Sequence, residues 1–284
     1  MEKILVAIDF SESSHNTFEH AVGLAQRFNA NLIIHWVESS KSISHLEIGK
    51  NDDPYAVVNQ KFDSLVAEFG TKLGADKFEL LISKGEAAQQ ITEEAKKNNV
   101  SVIVVGTHGF HGFKKYLMGS NANKVLAMAS IPVITIRPNR DVGRDLNVVV
   151  VPIDSGLDTR QKLPLATKIA RIYGADIHIL GLYFTNIASI RRKVDSYTDQ
   201  AKNYVIKNGV SNVVVHKTAT KNGARTILNY AKKVNAGLIA VMIEAELGGS
   251  SWSLASQSKQ FVNQSPIPIL SVANKELIRT APKL

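Results

Sequence analysis

Val102-Ile103-Val104-Val105-Gly106-Thr107-His108-Gly109-Phe110-His111-Gly112-Phe113-Lys114-Lys115-Tyr116-Leu117-Met118-Gly119-Ser120 holds the most information per residue in this chain. Four consecutive apolar, mostly β-branched residues suit a strand of a parallel sheet covered on both faces, not a half-exposed antiparallel one. A glycine-rich loop follows, and then a helical run over Asn121–Ala129. Gly106 lets the chain leave the strand, while Gly109 and Gly119 let backbone N–H groups approach a ligand with no Cβ in the way. Ser120 stands where a helix N-cap is expected, beside free N–H groups and the positive end of a helix dipole. Such a strand–loop–helix junction is a ready phosphate site. A glycine-rich connection without a ligand is the plainer alternative.

The same pattern extends in both directions, because the two halves are copies of one unit. Val6-Ala7-Ile8-Asp9 recurs as Val151-Pro152-Ile153-Asp154 at an offset of 145, which also pairs Ala21 with Ala166 and Ala30 with Ala175. Further on the offset is 136, pairing Ala95-Lys96-Lys97 with Ala231-Lys232-Lys233 and Ile131-Pro132 with Ile267-Pro268. The second copy is therefore nine residues shorter between its second strand and third helix. A tandem duplication is read, with units 1–140 and 146–284 joined near the polar, glycine-bearing stretch Asn139–Asp145. Strands are expected at Ile4–Ile8, Leu32–Val37, Phe78–Ile82, Val102–Val105 and Val133–Ile136. Their counterparts are Val148–Ile153, Ile177–Tyr183, Val213–His216, Leu238–Ile243 and Ile269–Val272. Helical patterns such as Thr17–Phe28 separate them, with Phe18, Ala21, Val22 and Ala25 on one face. This alternation implies an α/β fold, two tandem doubly wound (Rossmann-like) five-stranded parallel sheets. Ligands of such sheets sit at the carboxyl ends of the strands.

Composition narrows the function classes. The 284 residues are 44% hydrophobic and 21% charged, a globular balance, and no apolar run reaches bilayer-spanning length. Without cysteine there are no disulfides, thiolate metal sites or thiol chemistry. The N-terminal residues lack the features of a secretory signal, so a cytoplasmic protein is expected. The net charge of +9 is uneven: residues 1–142 carry 15 basic and 16 acidic side chains, residues 143–284 carry 19 and 9. The basic second half could attract an anionic partner or be only a solvated surface. A P-loop, a nucleophile elbow and a His-Glu-x-x-His pair are all missing.

The spacing Gly106-x2-Gly109-x9-Gly119-Ser120 resembles the ATP-binding motif of the universal stress protein family. Val6-Ala7-Ile8-Asp9-Phe10-Ser11 is similar to that family's opening strand and loop, and Ile131-Pro132-Val133 to its closing strand. The resemblance implies ATP as ligand, accompanied by Mg2+ or another divalent cation. It implies that Ala7 and Asp9 lie against the adenosine moiety and that the strand end at Val37 offers backbone groups to the adenine edge. Gly106, Gly109, Gly119, Ser120 and Asn121 would hold ribose and phosphates. Asp9 also admits a plainer reading as a carboxylate capping the first helix. No catalytic residue and no protein metal ligand is assigned. His108 and His111 could contact phosphate or a metal, or stand in solvent, and His35 and Trp36 are read as core or pocket packing.

The second copy breaks the motif: Gly106, Gly109 and Gly119 become Met242, Ala245 and Ala255, and Glu244 and Glu246 add negative charge. Only Ser256 survives in register. The expected function is a nucleotide-binding stress or regulatory protein with ATP in the first copy and a non-nucleotide role in the second. The competing readings are a slow ATPase or phosphotransferase using His108, His111 or Ser120, and an adaptor working through the basic second copy. An acidic protein or anionic small molecule is the expected partner there, with Arg191-Arg192-Lys193 as the candidate cluster; nucleic acid is disfavoured because no recognition helix or aromatic series accompanies the lysines. Family members commonly pair through the last strand, so Val133–Ile136 and Ile269–Val272 should lie side by side as an intrachain pseudo-dimer.

Overall fold

The computed structural model describes residues 1–46, 48–49, 52–107, 119–137, 146–243, 262 and 265–274. The first half runs β1 (Lys3–Ala7), α1 (Glu12–Phe28), β2 (Asn31–Glu38), α2 (Ser40–Ser44), α3 (Pro54–Leu73), β3 (Phe78–Lys84), α4 (Ala87–Lys97), β4 (Val102–Gly106), α5 (Ser120–Met128) and β5 (Val133–Ile136). The second runs β6 (Val148–Ile153), α6 (Leu163–Tyr173), β7 (Asp176–Tyr183), α7 (Ala188–Lys207), β8 (Val213–Ala219), α8 (Gly223–Lys233), β9 (Leu238–Ile243) and β10 (Ile269–Ala273). All ten expected strands are present, within one to three residues at their ends. The junction read at Asn139–Asp145 lies outside the described residues.

The strands form one ten-stranded sheet, ordered β3-β2-β1-β4-β5-β10-β9-β6-β7-β8. Neighbours within each half are parallel, because each crossover carries a helix back across a face. The halves meet through β5 and β10, which run antiparallel with Ile134 opposite Leu270. Each exposed edge thereby covers the other, and the chain forms an intrachain pseudo-dimer. Two apolar layers sandwich the sheet. One contains Ile4, Val6, Phe18, Ile134, Ile169 and Leu270. The other contains Leu5, Ile33, Ile91, Ile103, Leu180 and Ile239.

One boundary corrects the sequence reading and another narrows it. α1 begins at Glu12, not Thr17, because its polar first turn is capped: the Ser11 side chain accepts a hydrogen bond from the Ser14 N–H at 3.3 Å. Asp9 therefore does not cap the helix. The shortening of the second copy falls at α2: residues 39–53 join β2 to α3, whereas the second half passes from β7 to α7 through residues 184–187 alone. α2 is held by a small satellite core in which Trp36 packs with Leu46 and Val58.

Candidate functional site

In the order 3-2-1-4-5 the crossovers change direction between β1 and β4, so the carboxyl ends of these two strands splay apart beneath α1 and α5. A cavity of about 140 Å³ opens there, partly continuous with solvent. Its wall gathers Ala7, Asp9, Val37, Gly106, Gly119, Ser120 and Asn121 from four separate segments. These are the expected site residues except Gly109. Gly109 lies outside the described residues, with His108, His111, Lys114 and Lys115.

Asp9 follows β1 at a turn where Phe10 adopts φ 59°. One carboxylate oxygen accepts hydrogen bonds from the Ser11 N–H at 3.1 Å and the Ser11 hydroxyl at 2.5 Å. The other faces His45 Nδ1 at 3.2 Å. His45 is nearly buried, whereas Asp9 keeps 28% of its side-chain surface open. The aspartate thus organises its own turn and still presents a face to the cavity.

His35 is a wall residue that motif reasoning did not assign to the site. It stands two positions before Val37, on the same face of β2, so the strand period alone could have placed it there. Its Nε2 pairs with the Ser83 hydroxyl on β3 at 2.8 Å, and its Nδ1 has no hydrogen-bond partner among the described residues. Burial depresses its pKa to about 4, opposed by the charge of Glu94. The imidazole is therefore neutral at pH 7, with one ring nitrogen left for a ligand. His45, Ser39 and Ser42 also line the cavity, brought by α2, a segment without periodic signal.

The α5 end of the cavity differs from expectation in one detail. Gly119, not Ser120, is the N-cap of α5, and no side chain caps this helix. The Gly119 N–H itself donates to the Thr107 carbonyl at 2.6 Å. The first-turn N–H groups, beginning at Ser120, are those a helix leaves without an intrahelical acceptor, at the positive pole of its dipole. Lys124 on the same helix is engaged by Glu86 at 2.9 Å. No Lys or Arg lines the cavity among the described residues.

The residues fit a nucleotide: apolar walls from Ala7, Val37, Ile91 and Val105, a neutral imidazole with a free nitrogen, a carboxylate, and a helix N-terminus. Among the described residues no cluster of three or more His, Asp or Glu could hold a metal on its own. A divalent cation would then be carried by the phosphates.

The corresponding carboxylate of the second half, Asp154, makes the same turn bond, accepting from the Gly156 N–H at 3.1 Å. It is buried, however, and so is Lys162. Burial brings the Lys162 ammonium down to about 8, while Asp154 and Asp158 act to keep its proton on. Lys162 donates to the Thr159 carbonyl. Of the motif replacements, Met242 is buried in β9, and Ala245, Ala255 and Ser256 lie outside the described residues.

Comparison with known proteins agrees with this architecture. The profile of the universal stress protein family matches residues 1–137. Universal stress protein YxiE of Bacillus subtilis is 32% identical over 145 residues, 48% of this chain and 98% of its own length. Universal stress protein A homolog 1 of Coxiella burnetii is 31% identical over 138 residues, 47% of this chain and 94% of its own. The crystal structure of a universal stress protein from Archaeoglobus fulgidus superposes over both halves, with a TM-score of 0.72 at 20% identity, covering 96% of this chain and 98% of that one. That last likeness speaks for the fold of the whole molecule, and the sequence relatives speak for its descent: the chain belongs to the universal stress protein family.

Proposed function

We propose that the first unit, residues 1–140, binds ATP in the cavity between β1 and β4, and that the chain acts as a nucleotide-responsive regulator in the stress response. Ala7, His35 and Val37 would enclose the base, and Asp9 the ribose. Gly106, Gly109, Gly119, Ser120 and Asn121 would hold ribose and phosphates, with Mg2+ carried on the phosphate oxygens. The observation that supports this reading best is the convergence on one cavity of motif residues more than a hundred positions apart. Among the described residues the cavity wall offers no lysine to polarise a transferring phosphoryl group, which supports occupancy rather than turnover as the working signal. The second unit, residues 146–284, would serve a non-nucleotide role in the cytoplasm. A partner there would be an acidic protein or anionic small molecule. Its candidate cluster begins α7, where Arg191 lies over the Tyr183 ring at 4.3 Å, so that charge is already partly engaged.

Calorimetry with Mg-ATP tests the reading. One site per chain is expected, and Gly119→Val should weaken binding at least tenfold, because a branched side chain there fills the space beside the first turn of α5. Two equivalent sites, equal affinity in the variant, or no binding would overturn it.

A further inference from the structure

The duplication relates α1 to α6, and the two helices meet across the junction of the halves. Their pseudo-symmetric contacts are not equivalent. On one side Lys168 of α6 reaches across to the Glu2 carboxylate and lies 4.9 Å above the Phe28 ring. At the 145-residue offset the counterparts of Lys168, Phe28 and Glu2 are Gly23, Tyr173 and Asn147. On the other side, then, the bridging lysine is replaced by a glycine.

The space left by that side chain is open. A Cβ built on Gly23 would meet nothing within 4 Å, so neither a close approach nor an unusual φ calls for glycine in the middle of this helix. Glycine there favours the helix less than alanine would. Gly23 instead borders a cavity of about 190 Å³, partly continuous with solvent and separate from the nucleotide cavity. Its floor is apolar and comes from both halves, with Ile134 and Ile136 from the first and Ile169 and Leu238 from the second. Two cations stand at its rim, Arg27 and Lys72. Arg27 is fixed over the Tyr173 ring at 4.5 Å. Among the described residues one carboxylate, Glu19, lines the cavity, and His15 faces it at 3.7 Å. An apolar chamber with a cationic mouth matches a molecule with a hydrocarbon body and one negative end.

We propose that this inter-lobe cavity is a second ligand site, taking a small amphipathic carboxylate of the medium-chain fatty-acid class. The hydrocarbon chain occupies the space that Lys168 fills on the opposite side, and the carboxylate meets Arg27 and Lys72. Because both halves form the floor, the ligand reports on how they are joined, and it binds independently of the nucleotide.

Calorimetry with octanoate, and with 1-octanol as the uncharged control, tests the proposal on the full chain. One octanoate site per chain is expected. Gly23→Leu, a helix-favouring change that fills the chamber, should weaken octanoate at least tenfold and leave Mg-ATP binding as it is in the wild-type chain. Arg27→Gln, on an exposed residue whose replacement leaves the core untouched, should weaken octanoate several-fold and octanol hardly at all. Failure of octanoate to bind the wild-type chain at millimolar concentration overturns the site, as does equal affinity in Gly23→Leu. If octanol binds as tightly as octanoate and Arg27→Gln changes neither, the carboxylate assignment is wrong.

Discussion

Asp9 and Asp154 occupy the same place in the two copies and make the same turn bond, each accepting from the N–H two residues on at 3.1 Å. What surrounds them differs. Asp9 opens onto a cavity and faces His45, while Asp154 is buried in a lobe that also buries Lys162. At the 145-residue offset Lys162 replaces Thr17, His35 is replaced by Leu180, and the helix after the aspartate starts six residues later in register. The shorter crossover also removes α2, the segment that brings Ser39, Ser42 and His45 to the first cavity. The carboxylate is thus retained for the backbone turn, and its environment decides whether it can serve a ligand. Loss of motif glycines is one of several changes that separate the copies.

The sharpest test of this contrast concerns Lys162. Its pKa falls from 10.5 in the unfolded chain to about 8 in the folded protein. Between those values the unfolded chain binds more protons, so this group makes stability rise with pH from 8 to 10.5. A shift of this size corresponds to about 3 kcal/mol across the window. Urea unfolding of wild type and Lys162→Met should therefore diverge as pH rises, the wild type gaining on the variant. A constant difference would mean that the amine is not held in a desolvated site, and the contrast between the two aspartates would lose its cause.

His35 gives the mirror-image experiment in the first copy. Its folded pKa of about 4 lies below the unfolded 6.5. The unfolded chain takes up the proton first as pH falls, so stability declines from pH 6.5 towards 4. The expected loss is about 2 kcal/mol for a ring that is well but not wholly removed from water. His35→Leu, which installs the residue of the second copy, should flatten that acid limb. Unchanged acid sensitivity would show that the imidazole is not the titrating group.

These contrasts also show which parts of the molecule were legible in its sequence. The strands were, because continuous runs such as Val102–Val105 suit only a doubly covered sheet. The cavity was legible in outline, since Asp9, Gly106 and Gly119 all stand at strand or helix ends. The start of α1 was hidden: the apolar face that marks Thr17–Phe28 as helical does not reach its polar first turn, which shows only when the Ser11 cap and its partner are seen together. The direction of the β5–β10 pairing and the contact between His45 and Asp9 depend on residues brought together only by tertiary packing. Lys162 is one of 19 basic residues in the second half, and nothing local in the sequence marks it as buried.

The smallest effect expected is also the most direct on function. Asp9 has one carboxylate oxygen occupied by Ser11 and a second turned towards His45 and the cavity. Asp9→Asn preserves the acceptor that holds the turn and removes the charge, so the fold should survive. A hydrogen bond to a charged acceptor is worth about 1.5–3 kcal/mol, and an amide recovers part of it. The net weakening of Mg-ATP should be close to tenfold, about 1.4 kcal/mol. Asp154→Asn alters the same position in the other copy, where the charge acts on a buried lysine instead of a ligand. It should leave nucleotide affinity unchanged and shift the alkaline stability limb set by Lys162. Equal losses of affinity in the two variants would show that both aspartates contact nucleotide. Losses in neither would confine Asp9 to its turn and move the ligand's anchor to His35 and α5.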